Sequence, residues 1–236
     1  MIRLDRFLSN MGRGTRKEVK KMISEGAVTV NGIPAADCAM AVDEQNDQVF
    51  VCSERVFYRP FVYLMMNKPS GVLSASEDRG GAVTAADLVA GEYAHYRVSP
   101  AGRLDKDSEG LLLMTDDGAL THRLTHPSHE VEKEYRVWVN GDTAAGLPVL
   151  RGPMSLDGVP LRPARVTLLE QTPRGDVLSV VIHEGKNRQV RRMCDAAGLT
   201  VKRLVRVREG ALALGALPSG RWRRLTGEEI ALLQEK

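Results

Sequence analysis

The chain has little cysteine, no long apolar run and almost no net charge. Its three cysteines, Cys38, Cys52 and Cys194, are scattered and lack metal-ligand spacing. A disulfide framework is not expected, and a reducing cytoplasm is the expected compartment. No stretch approaches membrane-spanning length, and the first residues carry no apolar signal core. No strong internal repeat or low-complexity tract is visible. A formal net charge of +3 over 236 residues says little about partners by itself.

What is present is an ordinary globular composition, 43% hydrophobic and 27% charged, with charge unevenly placed. Between Met1 and Gly32, Arg3, Arg6, Arg13, Arg16, Lys17, Lys20 and Lys21 outnumber Asp5, Glu18 and Glu25. A second basic run, Lys186, Arg188, Arg191, Arg192, Lys202, Arg203, Arg206 and Arg208, has only Glu184 and Asp195 beside it in sequence. Two such clusters suggest a polyanion track. On charge alone, two solvated helix faces explain them equally well.

Leu4, Phe7, Leu8 and Met11 form one apolar helix face. After Gly12 and Gly14, Thr15 and Glu18 form a capping box for a second helix that buries Val19, Met22 and Ile23 and ends at Gly26. "AVTV" with Asn31-Gly32 predicts a strand and hairpin turn, and Val49 to Cys52 a later strand. The first domain is expected to span residues 1–58, with Pro60 stiffening a linker. From 61 to 236 the strand-like runs "FVYLMM", "GLLLMT", "EYRVWV", "ARVTLLE", "DVLSVVI" and "VKRLVRV" dominate. Helices are expected at 84–90, 118–125, 143–150, 186–197 and 226–235. This irregular order predicts an α+β fold with a mostly antiparallel mixed sheet.

The segment Gly102–Gly110, "GRLDKDSEG", has the alternating acids of an EF-hand start. Position twelve of such a loop would be Asp116 where a bidentate Glu is needed, "SPAGR" replaces the entering helix, and "LLLM" suits a buried strand. Calcium is therefore not expected. The remaining local reading is a charged turn with Asp105 paired to Arg103. His126 and His129 are three apart, but no further ligands with zinc spacing follow.

"GRLD" followed by "EGLLLMTDDG" resembles the signature of RNA pseudouridine synthases, specifically the RsuA family. "RLDRFLSNMGRGTRKEVKKMISEGAVTVNG" resembles the small RNA-binding domain shared with ribosomal protein S-four. "YLMMNKPSGVLSASED" resembles the first strand and turn of the synthase domain, and "HPSHEVEKEYRV" and "IHEGKNRQVRRM" its later motifs, in the family's order. The resemblance implies an S-four-like domain followed by a synthase domain with a central cleft. It implies uridine-to-pseudouridine isomerisation in ribosomal RNA without metal, nucleotide or redox cofactor.

By that resemblance Asp105 is the catalytic nucleophile and Arg191 its ionic partner, while Asp107 matches a more permissive position. Tyr135 matches a stacking platform for the target base with a second role as proton acceptor, and Ile182 an apolar position beside the uracil. Arg103 is expected to position the flipped nucleotide or brace its loop. Arg3, Arg16, Lys17, Lys20, Lys21, Lys68, Lys133, Lys186, Arg188 and Arg192 are expected to contact RNA, chiefly its phosphates. The partner is expected to be ribosomal RNA or a ribosome-assembly intermediate, and the chain a monomer. Small-subunit RNA is the favoured substrate, with large-subunit RNA and a non-catalytic assembly factor as alternatives.

Overall fold

The computed structural model describes residues 1–59, 61–93 and 96–234. Pro60, expected to stiffen a linker, lies outside the described residues, as does the last position of the helix expected at 226–235. The chain forms two compact units, Met1–Val62 with Val89–Val98, and Tyr63–Leu88 with Ser99–Lys236.

The first unit contains β1 (Ile2–Arg3), α1 (Leu4–Asn10), α2 (Arg16–Ser24), β2 (Val28–Val30), β3 (Ile33–Pro34), β4 (Ala41–Val42), β5 (Val49–Val51), β6 (Glu54–Val56) and α3 (Ala90–Tyr93). Leu4, Phe7, Leu8 and Met11 are buried together with Val19 and Ile23, as their helical spacing requires. Thr15 and Glu18 close the capping box, so two otherwise unpaired N–H groups at the start of α2 are satisfied. Asn31 and Gly32 take φ of 53° and 81°, the two positive values that a tight two-residue hairpin needs. The segment Val89–Val98, sequentially inside the region expected to form the second domain, folds with this first unit. Tyr96 ties it there by donating its hydroxyl to the Met11 carbonyl at 2.8 Å.

The second unit carries β7 (Tyr63–Lys68), β8 (Ser99–Pro100), β9 (Glu109–Thr115), α4 (Gly118–Thr125), β10 (Lys133–Asn140), α5 (Thr143–Arg151), β11 (Ser155–Leu156), β12 (Val159–Pro160), β13 (Arg165–Glu170), β14 (Asp176–Ile182), α6 (Gln189–Ala196), β15 (Thr200–Glu209), β16 (Leu212–Ala213), β17 (Trp222–Arg224) and α7 (Gly227–Gln234). Its sheet runs β13-β14-β10-β15-β9-β7-β17, with β16 beside β15 and β8 beside β9. The strands pair antiparallel except β9 with β15. Leu111, Leu112, Leu113 and Met114 are all buried, which is why β9 reads as one continuous apolar run.

At the parallel junction Gly110 has φ 105° and pairs with Arg206. A Cβ there would lie 2.3 Å from the Arg206 carbonyl oxygen, so only glycine lets the two backbones meet.

Two helix expectations shift. At 84–90 there is a turn, because Asp87 accepts hydrogen bonds from the Thr84 N–H and hydroxyl, a local arrangement that competes with helix. The helix expected from 186 starts at Gln189, since Arg188 adopts left-handed backbone, φ 49°.

Candidate active site

Asp105 sits in the loop that leads into β9, and both of its neighbours are pinned. Leu104 donates its N–H to the Ser74 hydroxyl at 3.0 Å, and that hydroxyl donates back to the Leu104 carbonyl at 2.9 Å. On the other side the Lys106 carbonyl accepts from the Gly71 N–H at 2.8 Å and from Lys68 Nζ at 3.3 Å. The segment "NKPSGVLS" thus grips the backbone of the carboxylate-bearing loop through the Gly71 N–H and the side chains of Lys68 and Ser74.

Lys68 is a correction to its expected place among the RNA contacts. It is fully buried, and its ammonium also donates to the carbonyls of Pro69 at 2.9 Å and Val72 at 2.7 Å. Burial pushes its pKa down to about 8, against the pull of Asp107, Glu109 and Asp105.

The arginines divide differently from the expectation. Arg188 Nη1 lies 3.7 Å from the Asp105 carboxylate and 3.3 Å from that of Asp107. Arg191 is buried on α6 and reaches the Asp107 carboxylate at 3.2 Å, the Asp107 carbonyl at 3.3 Å and the Ser108 hydroxyl at 3.4 Å. It braces the loop rather than pairing with Asp105. Arg188 has left-handed backbone just before α6 and Arg191 lies within its first turn, so both reach the Asp105–Ser108 loop. The expected Asp105–Arg103 pairing is replaced by this arrangement: Arg103 is exposed and lines the recess described next.

Asp105, Tyr135 and Ile182 line one recess of about 70 Å³, with Arg103, Lys186, Arg188, Leu104 and Leu204 around them. Tyr135 is buried near the start of β10, opposite Val180 on β14 and Arg206 on β15. Burial raises its pKa, so the phenol stays protonated at neutral pH, while the nearby Arg206 guanidinium opposes the shift. A protonated phenol is suited to stacking and to donating a hydrogen bond. It takes up a proton only by passing its own to a neighbour. A larger cavity of about 390 Å³ shares Arg103, Tyr135, Gly185 and Lys186 with the recess and adds Lys133 and Arg206.

Several other expected contacts are committed within the protein. Lys133 is largely buried and donates to the carbonyls of Leu124 and Val131. Lys186 donates to the Pro160 carbonyl at 2.9 Å. Arg192 forms a two-point pair with Asp157. Arg203 does the same with Glu109, and Arg208 bridges Glu132 and Glu134. The second basic run is therefore largely neutralised by acids distant in sequence. In the first unit, Arg16, Lys17, Lys20 and Lys21 are exposed on α2, whereas Arg3 is held by the Asp5 carboxylate at 2.9 Å.

Charge and spacing alone missed three residues. Arg206, counted with the surface track, is 1% exposed; its Nε donates to the Leu111 carbonyl at 2.7 Å, and its Nη2 lies 3.2 Å from the buried Glu209. Its sequence signal was its two-residue spacing from the core residue Leu204. Glu209 and Ser74 carried no comparable signal. His126 accepts from the Ser128 N–H at 3.3 Å and thereby caps a short 3-10 turn. Among the described residues no group of His, Cys, Asp and Glu is placed to hold a metal ion, and no helix is long and apolar enough to cross a membrane.

Residues 62–196 match the family model described as RNA pseudouridylate synthase, and residues 2–49 the S4 domain. An uncharacterized RNA pseudouridine synthase of Bacillus subtilis is 42% identical, the match covering 99% of each chain. Ribosomal large subunit pseudouridine synthase B of the same organism is 35% identical, over 99% of this chain and 96% of its own. The crystal structure of a pseudouridylate synthase superposes with a TM-score of 0.64 at 30% identity, covering 99% of this chain and all of that one.

Proposed function

Since this chain belongs to the RNA pseudouridylate synthases, we propose that it isomerises a specific uridine of ribosomal RNA, with Asp105 as the nucleophile. The observation that carries this reading is the recess in which Asp105, Tyr135 and Ile182 meet, at a loop pinned on both sides of the carboxylate.

The reaction breaks the bond from ribose to a ring nitrogen and forms one to a ring carbon, the proton lost from that carbon being balanced by one gained at the nitrogen, so the base must detach, turn and rejoin. Asp105 holds the detached state covalently, as an ionised carboxylate can, and that bond breaks again, freeing the carboxylate, by the time the isomer is released. Arg188, with its guanidinium 3.7 Å from the Asp105 carboxylate, sets a positive charge beside it. Tyr135 stacks on the extruded base and offsets part of the cost of unstacking it. Ile182 and Leu204 supply an apolar wall against which the ring turns. The exposed cations of α2 hold the RNA by its phosphates and give it register without specifying sequence. The cytoplasm, where ribosomal RNA or a ribosome-assembly intermediate is the substrate, is the proposed site of action.

We read the motifs as those of the RsuA branch, a reading that favours a small-subunit substrate. A large-subunit substrate is the second reading, supported by the 35% identical relative whose name carries that substrate. Carbodiimide mapping of total ribosomal RNA from a strain lacking the protein tests both. One missing mark, restored by the wild type and not by Asp105→Asn, supports the reaction and names the subunit. An unchanged map, or restoration by the Asn variant, rejects it.

A further inference from the structure

The reaction described above leaves one buried carboxylate unused. Glu209 ends β15, is wholly shielded from water, and lines neither the Asp105 recess nor the larger cavity beside it. Its carboxylate lies 3.2 Å from Arg206 Nη2 and 3.9 Å from Lys133 Nζ. Among the described residues neither of its oxygens accepts a hydrogen bond, so these two ion pairs are its whole compensation. A buried acid matched only by charge needs a reason.

An irregularity of the sheet aims it there. Lys133 pairs with Glu209 and Glu134 with Arg208, but Tyr135 pairs with Arg206, so Val207 is an extra residue on β15. In a regular strand, residues three apart point to opposite faces. The bulge brings Glu209 round to the face of Arg206, beside Lys133 and next to the pair that Arg206 makes with Tyr135. Arg206 then has two anchors, the Leu111 carbonyl on Nε at 2.7 Å and Glu209 on Nη2.

Both cations line the 390 Å³ cavity, whose other charged or titratable walls are Arg103, His126, His183, Glu184 and Lys186. Glu184 already serves Lys186, Gln189 and the Arg162 N–H. Glu209 is left as the acid that matches Lys133 and Arg206.

We propose that Glu209 is a positioning residue for the isomerisation: it holds Arg206 against Tyr135 and balances Lys133, so that the phenol meets the extruded base in one fixed geometry. The assignment rests on the reading of Tyr135 given above, and it concerns a residue that touches no RNA. It also carries a signature in pH. Burial and Arg206 push the Lys133 ammonium down, while Glu209 holds it up. Glu209→Gln removes that support, so Lys133 gives up its proton at lower pH. In the window this opens, the folded variant has lost a proton that the unfolded chain keeps, and its stability rises faster with pH than that of the wild type. The stability gap between the two should therefore narrow from neutral pH into the alkaline range.

The test uses the full chain, with ribosomal RNA from a strain lacking the protein as substrate. Glu209→Gln should lower kcat by about tenfold or more while KM changes by less than about twofold, because no RNA contact is removed. Glu209→Asp, which keeps the charge on a shorter arm, should recover part of that loss. In urea unfolding, adding Lys133→Met to Glu209→Gln should restore part of the lost stability, since one unmatched cation leaves with the acid. That double variant decides the charge balance even if Glu209→Gln alone does not fold. Three results each overturn the proposal: wild-type turnover in folded Glu209→Gln, an Asp variant no better than Gln with a gap that does not move with pH, or no recovery on adding Lys133→Met. Failure of the catalytic reading is distinguishable, because the wild type itself would then make no pseudouridine. The positioning role would fall with it, while the narrowing gap and the Lys133→Met recovery would remain.

Discussion

The ammonium of Lys68 lies 3.3 Å from the carbonyl oxygen of Lys106, the residue immediately after Asp105. A cation expected at the RNA surface is instead a buried post, tying the turn after β7 to the loop that carries Asp105, the proposed nucleophile. Its other two donors fix Pro69 and Val72 within the same turn.

Lys68→Met should therefore cost about 2–4 kcal/mol of stability, because three carbonyls lose a charged donor inside the fold. RNA affinity of the folded fraction should stay close to wild type while turnover falls. Urea unfolding and single-turnover pseudouridine formation measure the two. Normal stability with weakened RNA binding would return Lys68 to the surface role.

The same residue predicts a pH dependence. Its folded pKa, about 8, is below the ordinary lysine value of 10.5. Between those values the unfolded chain holds the extra proton, so stability contributed by this position rises with pH. It is lowest and flat below about 8 and complete above the unfolded value. The wild-type stability minus that of Lys68→Met should accordingly increase from pH 8 toward pH 10. A flat or falling difference would mean that the three carbonyls hold the ammonium charged.

Local features were legible from sequence wherever the physics is local. The α1 and α2 faces, the Thr15 cap, the Asn31-Gly32 turn and the buried run of β9 all follow from spacing within a dozen residues. The partners of the charged residues were not. Arg203 meets Glu109, Arg208 meets Glu132 and Glu134, and Arg192 meets Asp157, through strand pairings and packing that no neighbouring residue announces. Arg206 is central because β15 runs between β9 and β10, a long-range fact. The second basic run consequently read as a surface track when most of it is internal wiring.

Gly110 should tolerate no side chain. Alanine there would bring a Cβ 2.3 Å from the Arg206 carbonyl oxygen at a φ of 105°, and neither backbone can yield without opening the parallel junction. We expect Gly110→Ala to lose about 3 kcal/mol or more. Loss of hydrogen-exchange protection should be greatest in β9 and β15. Unaltered protection in those strands would contradict this account of the junction.

The exposed cations of α2 should act on RNA and little else. Lys17→Glu, Lys20→Glu and Lys21→Glu combined should keep stability within about 1 kcal/mol, since the 3.7 Å pair of Lys21 with Glu25 is solvent-exposed. If each lysine meets one phosphate, removing the three contacts should lower the salt slope of RNA binding by about 2. Filter binding across a salt series measures this, and an unchanged slope would exclude α2 from the interface.

Arg188 and Arg191 should separate into a chemical and a structural effect. Arg188 is half exposed and shared between two carboxylates, so Arg188→Met should change stability by less than about 1 kcal/mol. If its charge supports the ionised Asp105, turnover should fall by roughly tenfold, about 1.4 kcal/mol in the barrier. Arg191 is buried and donates to the Asp107 carbonyl and the Ser108 hydroxyl, while the half-exposed Asp107 carboxylate keeps Arg188 at 3.3 Å when Arg191 is removed. Arg191→Met should then cost about 1–3 kcal/mol of stability, with turnover falling because the Asp105 loop loosens. Arg191→Lys keeps the charge but not the two-sided reach, and should recover only part of that stability. Urea unfolding and single-turnover rates on the same three variants decide the matter. A fully active Arg188→Met beside a stable but inactive Arg191→Lys would move Asp105's ionic partner back to Arg191 in the RNA-bound state.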